Sequence, residues 1–231
     1  WAHAKDRLKP FVMASQTDIP FEQAVSDTYE RLTDSGFRIM GEYRPYEGAS
    51  VLVITRDDLK AAALSTDTSV WIAALRVAIT QNADATEVSY VNPDYLAIAY
   101  RLEQSIDQVS DDLASSLGAE TAFGSKKGLT TKSLSKYRYM FGMERVDDTY
   151  TLAKYPEQAQ AVAAVSAGLA DASNGVSEIY RLDVDDDTLL LGVAMHGGGD
   201  DANKYRDDSY QMSVVDFQSP RQTAYLPYEI L

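Results

Sequence analysis

One order of elements occurs twice along this chain, and that repetition limits its fold more than any other feature. The first occurrence opens at about Asp18, where Phe21, Val25, Tyr29 and Leu32 recur at three- and four-residue spacing and predict a helix to Ser35. Asp18 suits the cap, Pro20 and Glu22 the first turn, and Gly36 the left-handed residue after the end. Phe37 to Tyr43 then alternates as a half-buried strand does, and Val51 to Thr55 is a continuous apolar run typical of a central strand. A short helix from Asp57 to Leu64 and strands at Leu75 to Thr80 and Thr86 to Val91 complete the unit. In the second occurrence Pro156 to Ala172 reads as an alanine-rich helix with Ala159, Val162, Ala163 and Leu169 on one side. Gly175 ends it. A hairpin from Val176 to Val184 and Thr188 to Met195 turns at Asp185–Asp187, and strands are predicted at Tyr210 to Phe217 and Gln222 to Leu226.

Three landmarks align the occurrences. Glu22-Gln23-Ala24 and Glu157-Gln158-Ala159 lie 135 positions apart, Gly36 and Gly175 lie 139 apart, and Tyr90 and Tyr225 lie 135 apart. A period of this kind reveals a duplication before residue identity does. The predicted class is α+β: two tandem ferredoxin-like units, each a helix on an antiparallel sheet, related by pseudo-two-fold symmetry. The first unit spans residues 11–103 and the second 150–231. A helical, basic linker spans 104–149. In it Ile106, Val109, Leu113 and Leu117 stripe a helix from Ser105 to Leu117, and Thr130 to Met140 reads as another. Residues 123–145 hold six of the chain's 21 basic residues and one acid, Glu144.

Elsewhere the sign is reversed. With 35 acidic groups the formal net charge is -14, a field that repels nucleic-acid phosphate and anionic membrane surfaces. No apolar run approaches the roughly 18 residues that span a bilayer. The absence of cysteine excludes disulfides, thiolate metal ligands and a cysteine nucleophile. No cofactor is implied. The chain opens on Trp1 with no initiator methionine, which fits removal of an export signal or a trimmed chain equally well.

Several segments together resemble one known family. They are Phe37 with Glu42-Tyr43-Arg44-Pro45-Tyr46-Glu47-Gly48-Ala49, Tyr90-Val91-Asn92-Pro93, Ala99-Tyr100-Arg101, Phe123-Gly124-Ser125-Lys126-Lys127-Gly128-Leu129, Tyr137 to Gly142, and Leu226-Pro227-Tyr228-Glu229-Ile230-Leu231. Spread over nearly the whole chain, they resemble bacterial proteins of the domain-of-unknown-function 302 family in a two-copy form. The resemblance implies a small α+β domain that pairs as a dimer in single-copy members. It also implies an export signal, hence a periplasmic or secreted location, with the cytoplasm left open by composition. It implies no established activity and no catalytic residues.

Candidate site residues follow from local chemistry. Gly124-Ser125-Lys126-Lys127-Gly128 offers backbone amides and lysine charge to an anion, although its spacing is not that of a Walker loop. Tyr43, Tyr46, Tyr95 and Tyr137, with Asn92 and Arg101, sit at strand ends and turns, where tyrosines wall a ligand cleft or close the seam between the two units; the seam is preferred. His196, beside Gly197-Gly198-Gly199, reads as a solvated loop histidine or as a proton shuttle, and Glu229 joins the candidates. Trp1-Ala2-His3 would enclose copper or nickel in nitrogen donors if Trp1 were the true terminus. Asp183, Asp185 and Asp187 match the start of a calcium loop, but Thr188 and Ala194 stand where it needs glycine and glutamate. Ser133-Leu134-Ser135-Lys136 lacks the companion motifs of a serine acyltransferase.

The leading expectation is therefore an exported binding or interaction protein for a small anionic or polar ligand or a protein partner, as a monomer with an internal pseudo-dimer or as a homodimer. The alternatives are a hydrolase or isomerase with a polar cleft near the basic linker, and a periplasmic copper or nickel handler.

Overall fold

The computed structural model describes residues 7–138, 140, 142–198, 202–216 and 218–231. Trp1-Ala2-His3, and with it the proposed metal ligand His3, lies outside the described residues. The chain is α+β, and its larger sheet has six antiparallel strands. Strand β1 (Phe11–Thr17) leads into helix α1 (Phe21–Asp34), which buries Ala24, Val25, Thr28 and Leu32. Strands β2 (Arg38–Tyr43) and β3 (Ala49–Thr55), helix α2 (Asp57–Ala63), and strands β4 (Leu75–Gln81) and β5 (Thr86–Val91) follow. Helix α3 (Pro93–Ala99), helix α4 (Asp107–Leu117) and a short strand β6 (Thr121–Phe123) come next. The strand order is β2-β3-β4-β5-β1-β6. All seven residues of β3 are buried, and each fully buried Val, Leu or Ile side chain contributes about 1.5–3 kcal/mol.

The later part supplies helices α5 (Thr131–Leu134) and α6 (Gln158–Ala170), strands β7 (Val176–Asp183) and β8 (Leu189–Met195), helix α7 (Asp208–Val215) and strand β9 (Tyr228–Ile230). Strands β7-β8-β9 form a second antiparallel sheet. Both sheets feed one hydrophobic core, in which Val53, Ile54 and Ile79 join Tyr180, Leu182 and Leu190. Helix α1 lies on one face of the large sheet, where Arg44 binds both Glu22 of α1 and Glu42 of β2. The small sheet and α7 cover the other face through hydrogen bonds described below, and α6 lies behind β7, tied to it by Ser166 and Arg181.

Several expectations need correcting. The strand expected over Tyr210 to Phe217 is instead helical as far as Val215 in α7, because Asp207 caps the start through the Tyr210 amide and the buried residues Asp208 and Met212 fall four apart; Phe217 lies outside the described residues. Residues 222–226 hold a single turn of 3-10 helix, Thr223–Tyr225, and the third strand begins at Tyr228. The helix expected over 130–140 stops at Leu134 after one turn, capped by Thr130. Within the segment 104–149, α4 packs on α1 and β6 pairs with β1 at the sheet edge.

The two halves agree in some places and differ in others. Gly36 and Gly175 both adopt positive φ, +81° and +74°, one or two residues before a strand. In both halves that strand is bulged four residues later, between Ile39 and Gly41 and between Glu178 and Tyr180. Tyr90, however, is buried in β5, whereas Tyr225 is 55% exposed in the 3-10 turn, so the third landmark falls in unlike elements.

Candidate functional site

Antiparallel pairing places Gly41, Val53 and Arg76 in one row across β2, β3 and β4, and Thr80 and Glu87 in another across β4 and β5. These side chains face the C-terminal half. The contacts there are acid–tyrosine and acid–arginine pairs. The Tyr43 hydroxyl donates to Asp208 Oδ2 at 2.7 Å, and the Tyr46 hydroxyl to Asp216 at 2.9 Å. Arg76 forms an ion pair with Glu229, whose other oxygen accepts from the Tyr180 hydroxyl at 2.5 Å. Burial raises the phenol of Tyr43 above its ordinary range and that of Tyr46 to about 12, so both remain neutral donors.

The same seam holds a loop in place. Glu87, 1% exposed, accepts from the Ser219 hydroxyl, from the Arg221 amide at 3.0 Å and from Gln16 at 3.0 Å. Asp216, also 1% exposed, accepts from the Thr223 hydroxyl at 2.6 Å and from the Gln222 amide. Two buried carboxylates therefore pin the turn Ser219-Pro220-Arg221 from both ends. Opposite stands the Gly124-Ser125-Lys126 loop after β6, with Phe123 packed on Phe11 at 5.5 Å between ring centroids. The Ser125 hydroxyl accepts the Gly128 amide at 3.1 Å, so the basic loop closes on itself.

Between these two loops lies an open groove of about 430 Å³. Lys9 and Lys126 supply positive charge, and Ser125, Gln218, Ser219 and Gln222 supply hydroxyl and amide groups. None of its described lining residues is acidic, against a formal net charge of -14 for the chain. The groove presents cations and neutral donors on walls fixed by other contacts, which suits a small anion. Among its described lining residues Ser219 is the hydroxyl bonded to a carboxylate, and that carboxylate, Glu87, is buried and shared with the Arg221 amide and Gln16.

A second groove, of about 450 Å³, has the opposite character. Leu8, Ile98, Leu102 and Ile106 form its floor and Asp94, Glu103 and Asp107 its rim.

Of the residues picked from sequence, Lys126 is in the first groove, and exposed Lys127 is beside it but outside the lining. Tyr43 and Tyr46 close the seam instead of lining a cleft. Asn92 is structural: its side-chain oxygen accepts from the Asp94 and Tyr95 amides to cap α3, and its amide donates to Lys9 O at 2.9 Å. Arg101, at φ +56°, is paired with the buried carboxylate of Asp147. Tyr95 and Tyr137 are half-buried near α3 and α5. His196 is exposed at the end of β8, with its amide on Gly175 O at 2.7 Å. Glu229 is consumed by Arg76 and Tyr180, so neither it nor His196 meets the basic loop. Lys9, Gln218, Ser219 and Gln222 were missed. The signals were slight: a lysine before Pro10 and a serine before Pro220, both turn signatures without chemistry of their own.

No protein-family model, no curated protein and no solved structure matches this chain.

Proposed function

We propose that this chain is a non-catalytic binding protein for a small anionic ligand, held in the groove between the Gly124-Ser125-Lys126 loop and the Ser219-Pro220 turn. The observation that carries the reading is the charge of that groove: two lysines and no acid among its described lining residues, in a chain with 14 more acidic than basic groups. The walls are preorganised by Glu87 and Asp216, which lowers the ordering cost of binding. Calorimetric titration with inorganic phosphate and with citrate tests it. Binding that weakens at least tenfold in K9A/K126A, and weakens again as salt is raised, supports the proposal. Absence of binding at millimolar concentration of either probe, or binding indifferent to the double substitution, overturns it.

The two-copy, exported architecture belongs to the same proposal. Support for duplication comes from the shift of 139, which carries Gly36 onto Gly175, the bulge at Met40 onto that at Ile179, Gly41 onto Tyr180 and Val53 onto Gly192. The next strand follows suit: Val53 pairs with Arg76 of β4, and Gly192 pairs with Glu229 of β9. On this reading β9 is the counterpart of β4, and a pseudo-two-fold axis passes where equivalent positions meet. The family resemblance supports export of the mature chain.

A further inference from the structure

We infer that the two halves recognise each other, and refuse copies of themselves, through two mismatched pairs on the pseudo-two-fold axis: Arg76 with Glu229, and Gly41 with Tyr180. The inference rests on the duplication reading above. Residues close to a two-fold axis touch their own counterparts, and both pairs do. Arg76 and Glu229 form an ion pair with side chains 12% and 7% exposed. At Gly41 an added Cβ would lie 2.6 Å from Ile179 O and 3.1 Å from the Cβ of Tyr180, so the strand carrying Tyr180 has room only because its counterpart has no side chain.

A first half paired with another first half would bring Arg76 against Arg76 and leave a void at Gly41. A second half paired with its like would bring Glu229 against Glu229 and crowd two Tyr180 rings. Like charges meeting in a largely buried seam are strongly unfavourable, because neither solvent nor a partner compensates them. One position supplies charge and the other supplies size. Together they make the halves complementary only as a first half with a second half. That partner is the chain's own C-terminal half, or the C-terminal half of a second copy exchanged for it. The hydrogen bond from Tyr180 to Glu229 links the two features, since the ring that fills the space beside Gly41 also orients the carboxylate.

Charge reversal in the full chain tests this. R76E places two carboxylates on the axis and E229R two guanidinium groups, and each should lower the urea midpoint. The double reversal R76E/E229R restores opposite charges and should recover more than half of the larger single loss. When R76E and E229R are unfolded together and co-refolded, each is mismatched within its own chain, but every pairing across the two chains is matched. The mixture should therefore yield a mixed dimer of about twice 25.4 kDa that neither variant gives alone. A double reversal no more stable than the weaker single variant overturns the inference, even if both singles fail to fold. A mixture without mixed dimer also overturns the partner-selection claim. Failure of the duplication reading looks different: in an experimental structure residues 36–55 and 175–194 would not superpose, while the charge swap would still rescue.

Discussion

Replacing Tyr43 with phenylalanine isolates one contact of the seam. The ring is 4% exposed and would remain in place, so the substitution removes only a hydroxyl and leaves no cavity of consequence. That hydroxyl donates to Asp208 Oδ2 at 2.7 Å, where the Met195 amide also donates at 2.9 Å. Asp208 Oδ1 is buried and has no hydrogen-bond partner, so the carboxyl has no donor in reserve. Hydrogen bonds to charged groups contribute about 1.5–3 kcal/mol, and a loss of about 2 kcal/mol is expected. With a urea slope of about 2–3 kcal/mol/M, the midpoint should fall by roughly 0.7–1 M. Tyr46→Phe is the internal control. Asp216 keeps the Thr223 hydroxyl and the Gln222 amide, so its loss should be about half as large, about 1 kcal/mol. The pH dependence carries a definite sign. Burial raises the Asp208 carboxyl above its ordinary range, opposed by the Met195 and Tyr43 hydrogen bonds. A raised folded value means that the group's contribution is fully favourable below the unfolded value and is lost as pH rises through the folded one. Removing Tyr43 raises Asp208 further, so the deficit of Tyr43→Phe should be largest at neutral pH and should shrink as Asp208 is protonated. Equilibrium urea unfolding of both variants at neutral and acidic pH measures all of this. A Tyr43→Phe midpoint within 0.2 M of the parent, or a larger loss for Tyr46→Phe, would refute the account of the seam.

Two further outcomes are expected from local geometry. Asp207 caps α7 by accepting the Tyr210 amide at 2.9 Å and then the Gly197 amide at 2.9 Å, and these hydrogen bonds hold its carboxyl below the usual range. Its stabilisation is thus present above the unfolded value near pH 4 and is lost as pH falls through the folded value. Asp207→Ala should cost about 1 kcal/mol at neutral pH, and the gap should close in strong acid, as followed by urea midpoints across the titration. Gly192→Ala puts a methyl group into the Tyr180 ring stacked on that strand, and an overpacking cost of about 1–3 kcal/mol should appear as a lower thermal midpoint. Retention of the parent midpoint would mean that Tyr180 moves freely, which its hydrogen bond to Glu229 argues against.

The backbone elements with a dominant period were legible in the sequence, and those governed by capping or edge pairing were not. Helix α1 and strand β3 announce themselves, one by a stripe at three- and four-residue spacing and the other by the apolar run Val51 to Thr55, which lies within a strand of seven buried residues. Helix α7 was misread because Tyr210 to Phe217 is rich in residues that favour strands, while its deciding feature is the Asp207 side chain on a backbone amide three residues away. Strand β6 has three residues and exists because β1 offers it an edge, which no local pattern encodes. The basic loop was legible as a candidate from Ser125 and Lys126. Its opposite wall was not, because Ser219 is brought to the groove by Glu87, 132 positions earlier in the chain, and Gln222 by the Asp216 turn beside it.

The two faces of the large sheet show why that wall could not be read. Toward α1, strands β4 and β5 present Leu75, Val77, Ile79 and Val88, an ordinary aliphatic face. Toward the C-terminal half they present Arg76, Ala78, Thr80, Glu87 and Ser89, a largely polar set whose alternation in isolation describes a strand facing water. Thr80, Glu87 and Ser89 are each 1% exposed or less. Period-two polarity therefore marks a face that is not hydrocarbon core, without saying whether water or another layer of protein meets it. Here it is protein, and the polarity has a use. An aliphatic face would hold the second half in many registers, whereas Arg76 and Glu87 accept it only where Glu229 and Ser219 meet them. The contact that fixes this register also fixes the Ser219-Pro220 turn, so the polar seam and the groove beside Lys9 and Lys126 are consequences of one arrangement. Loosening the seam at Glu87 should open the groove before it unfolds the sheet.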